Sequence, residues 1–292
     1  MHSRVSKIAP AVGATLLGVF IALFPQGLWA ALVLINLKTS PAIPWSAIVM
    51  GFLLWMMWRY LGGRWWPRSN SDVRRRYLRA KLVSSRALGW ALLAGALAIV
   101  ALDGLWIVIS QFIRMPGSVL PDMSKYQPLT AVLMLTMAAL VSPVCEQAGL
   151  WGYCQVRMEQ LFGGPAAIAI SALVFSLLPH PPMNAAFLPK LGFFFLTGLM
   201  FGGLAYLTNS ILPGLVVHIF GILTFFVLVW PYDSARLLAA EGGADAWFWI
   251  HAVQTIVLLG LTIVAFVRLA RITRRVWSAG PNPALGVDNE VS

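Results

Sequence analysis

The chain has 292 residues, of which 59% are apolar and only 11% charged, and its mean hydropathy is +0.80. A soluble globular protein carries about 25% charged residues, so this composition excludes a soluble domain and points to an integral membrane protein. The spans are expected to be helices, because lipid leaves no partner for the open edge of a strand. The net charge of +11 would suggest nucleic acid in a soluble protein. Here it follows the membrane topology, and no nucleic-acid partner is expected.

The first apolar run begins near Ala11, after the basic start "MHSRVSK". It is long for a signal-peptide core and ends without a small-residue cleavage site, so it reads as span one. Seven more runs follow, giving eight candidate spans at about 11–35, 43–60, 88–110, 129–150, 165–180, 188–208, 211–230 and 247–267. The expected fold is all-α: one polytopic transmembrane bundle over residues 11–270, between a short N-terminus (1–10) and a disordered tail (271–292). Tryptophan and tyrosine cluster at the proposed ends, in "WMMWRYLGGRWW", "WPYD" and "WFW", as interfacial belts do.

Charge sets the orientation. Sixteen of the 21 basic residues fall on one side of an eight-span topology. The opposite loops hold only Lys38, Arg114, Lys125, Lys190 and Arg236. Both termini are therefore expected in the cytoplasm; a bacterial inner membrane is the expected location. The segment Ser71–Arg86, "SDVRRRYLRAKLVSSR", has two readings. It is a charged loop that sets topology, or a short basic helix lying on anionic headgroups through Tyr77, Leu78 and Leu82.

Cys145 and Cys154 fit no ligand cluster or disulfide framework and read as small buried side chains. There is no GxGxxG, no P-loop and no HExxH, so no nucleotide site and no familiar zinc signature.

The informative residues are titratable groups inside apolar helices: Glu146 in "VSPVCEQAGLWGY", His180 in "SALVFSLLPHPP" and His218 in "LPGLVVHIFG". An ionisable residue within a span is a functional-site hypothesis by default. A carboxylate in such a place can take a proton from water, one histidine can share that water, and another can donate to an oxyanion. The same trio is an acceptable zinc ligand set with an open fourth position. Spacing leaves the two versions open. In depth, Glu146 and His218 agree. A regular fifth span would carry His180 toward the outer face, but Pro179, Pro181 and Pro182 make regular geometry there unexpected. Asp103 ranks below the trio, as a packing or cavity residue, and His251 reads as interfacial.

These residues resemble the motifs of the CPBP family of intramembrane proteases, which includes the type II CAAX prenyl endopeptidases and the abortive-infection-like proteins. In its EExxxR motif, Glu146 matches the first glutamate and Gly152 the closing glycine. Gln147 stands for the second glutamate, Leu150 for the phenylalanine and Trp151 for the arginine. "FSLLPH", Phe175 to His180, is one residue longer than FxxxH. "FGGLAYLTNSILPGLVVHIFGI" matches the lead of HxxxN, with His218 on the histidine and Ile222 on the asparagine. The likeness covers about residues 129–227.

The resemblance implies an eight-helix protease of the prenyl-protein-processing type, acting on a protein or peptide with a membrane-proximal segment. It assigns Glu146 and His180 to water activation and His218 to the oxyanion, with Gln147, Trp151, Phe175 and Ile222 in the supporting positions. Family names include metalloprotease, so the resemblance implies zinc as the cofactor or none. The substituted positions keep two alternatives in play, a catalytically weakened scaffold or peptide-binding protein, and a small proton-linked transporter using Glu146.

Overall fold

The computed structural model describes residues 2–113, 126–179, 187–225, 229 and 237–273; the side chains of residues 2–6, 187 and 188 are not described. Every regular element among them is helical: α1 (His2–Thr39), α2 (Trp45–Leu61), α3 (Ser71–Leu78), α4 (Ser85–Ser110), α5 (Pro128–Glu146), α6 (Gln155–Phe162), α7 (Gly164–Ser176), α8 (Phe187–Thr208), α9 (Leu212–Thr224) and α10 (Ala246–Thr273). A π-helical stretch, Gln147–Cys154, joins α5 to α6 without a break.

Five helical stretches are long and apolar enough to cross a membrane: Lys7–Thr39, Ser85–Ser110, Pro128–Phe162, Pro189–Thr208 and Ala246–Thr273. The apolar helices α2, α7 and α9 are shorter. At 13 residues, α7 and α9 extend roughly 20 Å, less than the hydrocarbon thickness of about 30 Å. The chain is thus an all-α bundle of membrane-length and shorter apolar helices, in the order the sequence implied. The fourth span differs from its expected end at residue 150. Its helix continues to Phe162, which puts Glu146 near the middle of a 35-residue rod. The tail 274–292 lies outside the described residues.

The turn between α1 and α2 is held by a buried asparagine. Asn36 Nδ2 donates to the carbonyls of Ser40 and Ile43, and the Ser46 amide donates to Asn36 Oδ1. Three polar groups of the turn are satisfied by one side chain, as burial demands.

The centre of the bundle is built on close backbone approach. A Cβ on Gly149 would lie 2.3 Å from the Gly18 carbonyl oxygen, and one on Gly18 would lie 2.6 Å from the Gly149 oxygen. So α1 crosses the π-helical stretch glycine on glycine, the contact that small residues permit between membrane helices. In the same way a Cβ on Gly95 of α4 would strike the Val217 side chain of α9. These crossings bring α1, α4 and α9 around the end of α5.

The basic segment after α2 is not a bare loop. Arg79 ends α3 in a left-handed conformation, φ 39°, and only 2% of it is exposed. Its Nε and Nη2 donate to the Trp151 carbonyl at 3.1 and 2.8 Å, and its Nη1 meets Glu159 Oε1 at 2.8 Å. The Arg79 carbonyl accepts from the Ile211 amide, and the Lys81 carbonyl accepts from Ser210 Oγ. The short basic helix expected here is present as α3 (Ser71–Leu78), but its apolar residues do not form an outward stripe. Leu78 is buried in the protein core and Tyr77 packs on Tyr153, while Leu82 alone stays exposed. The segment clamps the π-helical stretch to the turn that launches α9.

Candidate active site

Glu146 is the last residue of α5 before the π-helical stretch, and 4% of it is exposed. Pro143 interrupts the helix one turn earlier, and such π-helical insertions are frequent at functional sites. Two neutral donors hold its Oε1: Ser142 Oγ at 2.7 Å and Gln26 Nε2 at 3.0 Å. Ser142 lies one helical turn back on the same face, as i and i+4 residues do. Gln26 comes from α1, eight residues beyond the Gly18 crossing, or roughly 12 Å along the axis. Its amide also donates to the Ala22 carbonyl of its own helix, which fixes its rotamer.

The other carboxylate oxygen faces α9. His218 Nε2 lies 3.7 Å from Glu146 Oε2, with the histidine 5% exposed. That separation is too long for a direct hydrogen bond, and it suits one water touching both groups. The imidazole is held by aromatic walls. Its ring centroid is 4.3 Å from that of Phe201 and 6.1 Å from that of Trp151.

Glu146 and His218 open on a cavity of about 310 Å³ lined by α1, α4, α5, α7, α8 and α9. Gln26, Ser142, Asp103 and Thr197 add polar lining, and Phe175, Phe201 and Ile222 supply apolar wall. Asp103, ranked low on sequence, thus faces the same space.

The supporting positions resolve individually. Trp151, at the motif arginine's place, is fully buried against Phe175 and Phe201, with ring centroids 5.1 and 5.0 Å away. It builds the wall behind His218, and its backbone carbonyl accepts from the Arg79 guanidinium at the end of α3. Gln147 is fully buried and lies against the first turn of α9, where a Cβ on Gly214 would sit 2.9 Å from its Oε1. Its side-chain amide makes no hydrogen bond among the described residues. Ile222 lines the cavity one turn beyond His218, so the expected asparagine place is apolar in space as well as in sequence. Two further polar residues near these positions are engaged elsewhere or stand in a turn. Tyr153 donates to the Leu61 carbonyl, and Asn209 sits in a left-handed turn after α8.

His180 lies outside the described residues. The structure brings together two of the three expected groups and adds Gln26 and Ser142, which sequence reasoning missed. The signal for Gln26 was present as a lone amide in the apolar run "FIALFPQGLW".

The described residues give zinc no ligand cluster of three His, Cys, Asp or Glu side chains, and the third expected ligand, His180, lies outside them. Glu146 Oε1 is also taken by two hydrogen-bond donors. Cys145 and Cys154 are free and buried, as expected, and His251 packs on Trp247 with its Nδ1 at 2.9 Å from Gln254 Oε1.

No curated protein and no solved structure matches the chain. A family model does: that of the type II CAAX prenyl endopeptidase Rce1-like family matches residues 128–224, a segment holding both Glu146 and His218.

Proposed function

We propose that this protein is an intramembrane endopeptidase that hydrolyses a peptide bond in a membrane-proximal segment of its substrate. The observation that carries the reading is the buried pair Glu146–His218, 3.7 Å apart at the wall of a cavity, inside the segment that the prenyl endopeptidase family model matches.

In this reading a water sits between Glu146 Oε2 and His218 Nε2. Glu146 takes one of its protons, and the hydroxide oxygen bonds to the carbonyl carbon of the substrate. The carbonyl oxygen, now negative, accepts a hydrogen bond from His218, the kind of stabilisation that dominates acyl-transfer catalysis. The tetrahedral intermediate then breaks its C–N bond, and the leaving amine takes the proton from Glu146. Gln26 and Ser142 hold the other carboxylate oxygen, so Oε2 keeps its aim at the water. His180 joins as a second water-contacting group on the strength of its place in the motif alone. No step runs through a metal. The eight-span topology, cytoplasmic termini, bacterial inner membrane, single-domain partition and prenylated protein substrate belong to the same proposal.

One observation favours a second reading, a peptide-binding relative without turnover: Ile222 offers the cavity no second oxyanion donor. Loss of one such donor costs about 100–1000-fold in rate. The two readings separate with the full chain in lipid nanodiscs, given farnesylated CAAX peptides and unmodified membrane-proximal peptides. Cleavage by the parent that disappears in Glu146→Gln and in His218→Ala supports the protease. Equal cleavage by all three proteins, or none by any, removes it.

A further inference from the structure

A second and larger hollow lies on the other side of α1. The cleft between α1, α2 and α3 has a volume of about 880 Å³ and does not include Glu146 or His218. Leu17, Phe24 and Leu28 of α1 and Met50 and Leu54 of α2 form its apolar walls. From Met50 to Tyr60 the α2 wall rises roughly 15 Å, about half of a ~30 Å hydrocarbon core. The hollow is therefore as deep as one leaflet. Phe24 is 58% exposed, so the cleft opens sideways to the region where lipid tails lie.

One end of the cleft is polar and basic. Arg74, Arg157, Tyr60 and Asn70 line it there. Arg74 is 5% exposed, stacks on Tyr60 at 4.4 Å, and donates to Asn70 Oδ1 and to the carbonyls of Trp65 and Pro67. Its buried Nε has no acceptor among the described residues. Arg157 donates to the neutral Gln160. Among the described residues neither guanidinium pairs with a carboxylate, although Arg79, in the same region, has Glu159. Two uncompensated cations at the mouth of an apolar slot of single-leaflet depth call for an anion with a hydrocarbon tail.

We propose that this cleft binds one anionic phospholipid from the leaflet on the basic side. One of its acyl chains lies between α1 and α2, and its phosphate lies against Arg157, whose forked donors suit phosphate oxygens, with the charge of Arg74 behind it. A transmembrane helix about 10–12 Å across would fill the same volume in roughly two turns, so a thin, flexible chain matches the length of the cleft better. The binding stands apart from hydrolysis and leaves the Glu146 cavity untouched.

The test uses the full chain in nanodiscs of equimolar phosphatidylglycerol and phosphatidylcholine, followed by gentle detergent extraction and counting of retained lipids by native mass spectrometry. The parent is expected to retain phosphatidylglycerol in excess. Arg157→Gln lowers that excess about fivefold, the worth of one basic side chain near a charged membrane surface. Gly13→Trp acts by a different route. Gly13 lines the cleft and a Cβ there would meet no atom within 4 Å, so the indole occupies the slot and reduces retained lipid of both kinds. Equal retention of the two lipids by the parent overturns the proposal. So does retention that neither substitution changes, or a bound polypeptide that Gly13→Trp displaces while lipid counts stay the same. Because the readout is lipid, it is independent of whether the protein cleaves peptides.

Discussion

Gln26 Nε2 reaches across from the first helix to Glu146 Oε1 at 3.0 Å, joining residues 120 positions apart in the chain. The contact exists because Gly18 and Gly149 let α1 lie directly on the π-helical stretch. It makes α1 part of the site, although the family model begins only at residue 128.

Replacing this amide tests its role. Gln26→Met keeps the volume and removes the donor, leaving a buried carboxylate oxygen with Ser142 alone. The expected loss is about 1–3 kcal/mol of stability, measured by denaturant unfolding in nanodiscs, together with slower peptide cleavage. The stability loss should largely vanish when Gln26→Met is made on a Glu146→Leu background, which leaves no acceptor at that position. A double-mutant cycle showing simple additivity would mean that the two side chains are not coupled.

The Arg79–Glu159 pair predicts a structural effect. Arg79→Ala leaves Glu159 without its cation and the Trp151 carbonyl without two donors. Breaking a buried pair from one side costs about 3–5 kcal/mol, so the unfolding midpoint should fall sharply. Arg79→Lys should recover only part of the loss, because an ammonium lacks the planar fork that spans both acceptors. Full recovery by lysine would assign the whole effect to charge.

Two glycines on the same helix should respond oppositely. Gly18→Ala forces a methyl group to within 2.6 Å of the Gly149 oxygen, and overpacking of this kind costs about 1–3 kcal/mol. It should also pull Gln26 away from Glu146 and lower activity. Gly13→Ala meets open space and should stabilise α1 by roughly 0.5–1 kcal/mol. Similar unfolding curves for both variants would contradict the close crossing.

A gain of function is expected at Ile222. It lines the cavity one turn beyond His218, so Ile222→Asn adds a donor where the proposed oxyanion forms. Turnover should rise at least about tenfold, given the 100–1000-fold range for one donor, with the effect in kcat rather than KM. An unchanged kcat would place the oxyanion elsewhere in the cavity.

Much of the site's chemistry was legible in single residues. Glu146 and His218 stood out because a titratable group in an apolar run has few reasons to be there, and the structure sets them 3.7 Å apart. The motif substitutions were equally plain, but their meaning was not. Trp151 reads as a lost arginine and is in fact the wall of the imidazole, while the guanidinium nearest its backbone is Arg79. In the sequence Arg79 is one basic residue among many in its segment, with nothing to separate a buried cation from its solvated neighbours.

Composition and the order of apolar runs by themselves determined that this is a bundle of membrane helices, because hydropathy is a sum over neighbouring residues and needs no knowledge of what lies across the bundle. The tertiary structure alone decided that Gln26 and Ser142 hold the acid, that Asp103 and Ile222 share its cavity, and that α1 and α2 part to form a basic-mouthed cleft. Those facts depend on which helices cross and how closely, and the crossing is set by packing between residues far apart in the chain.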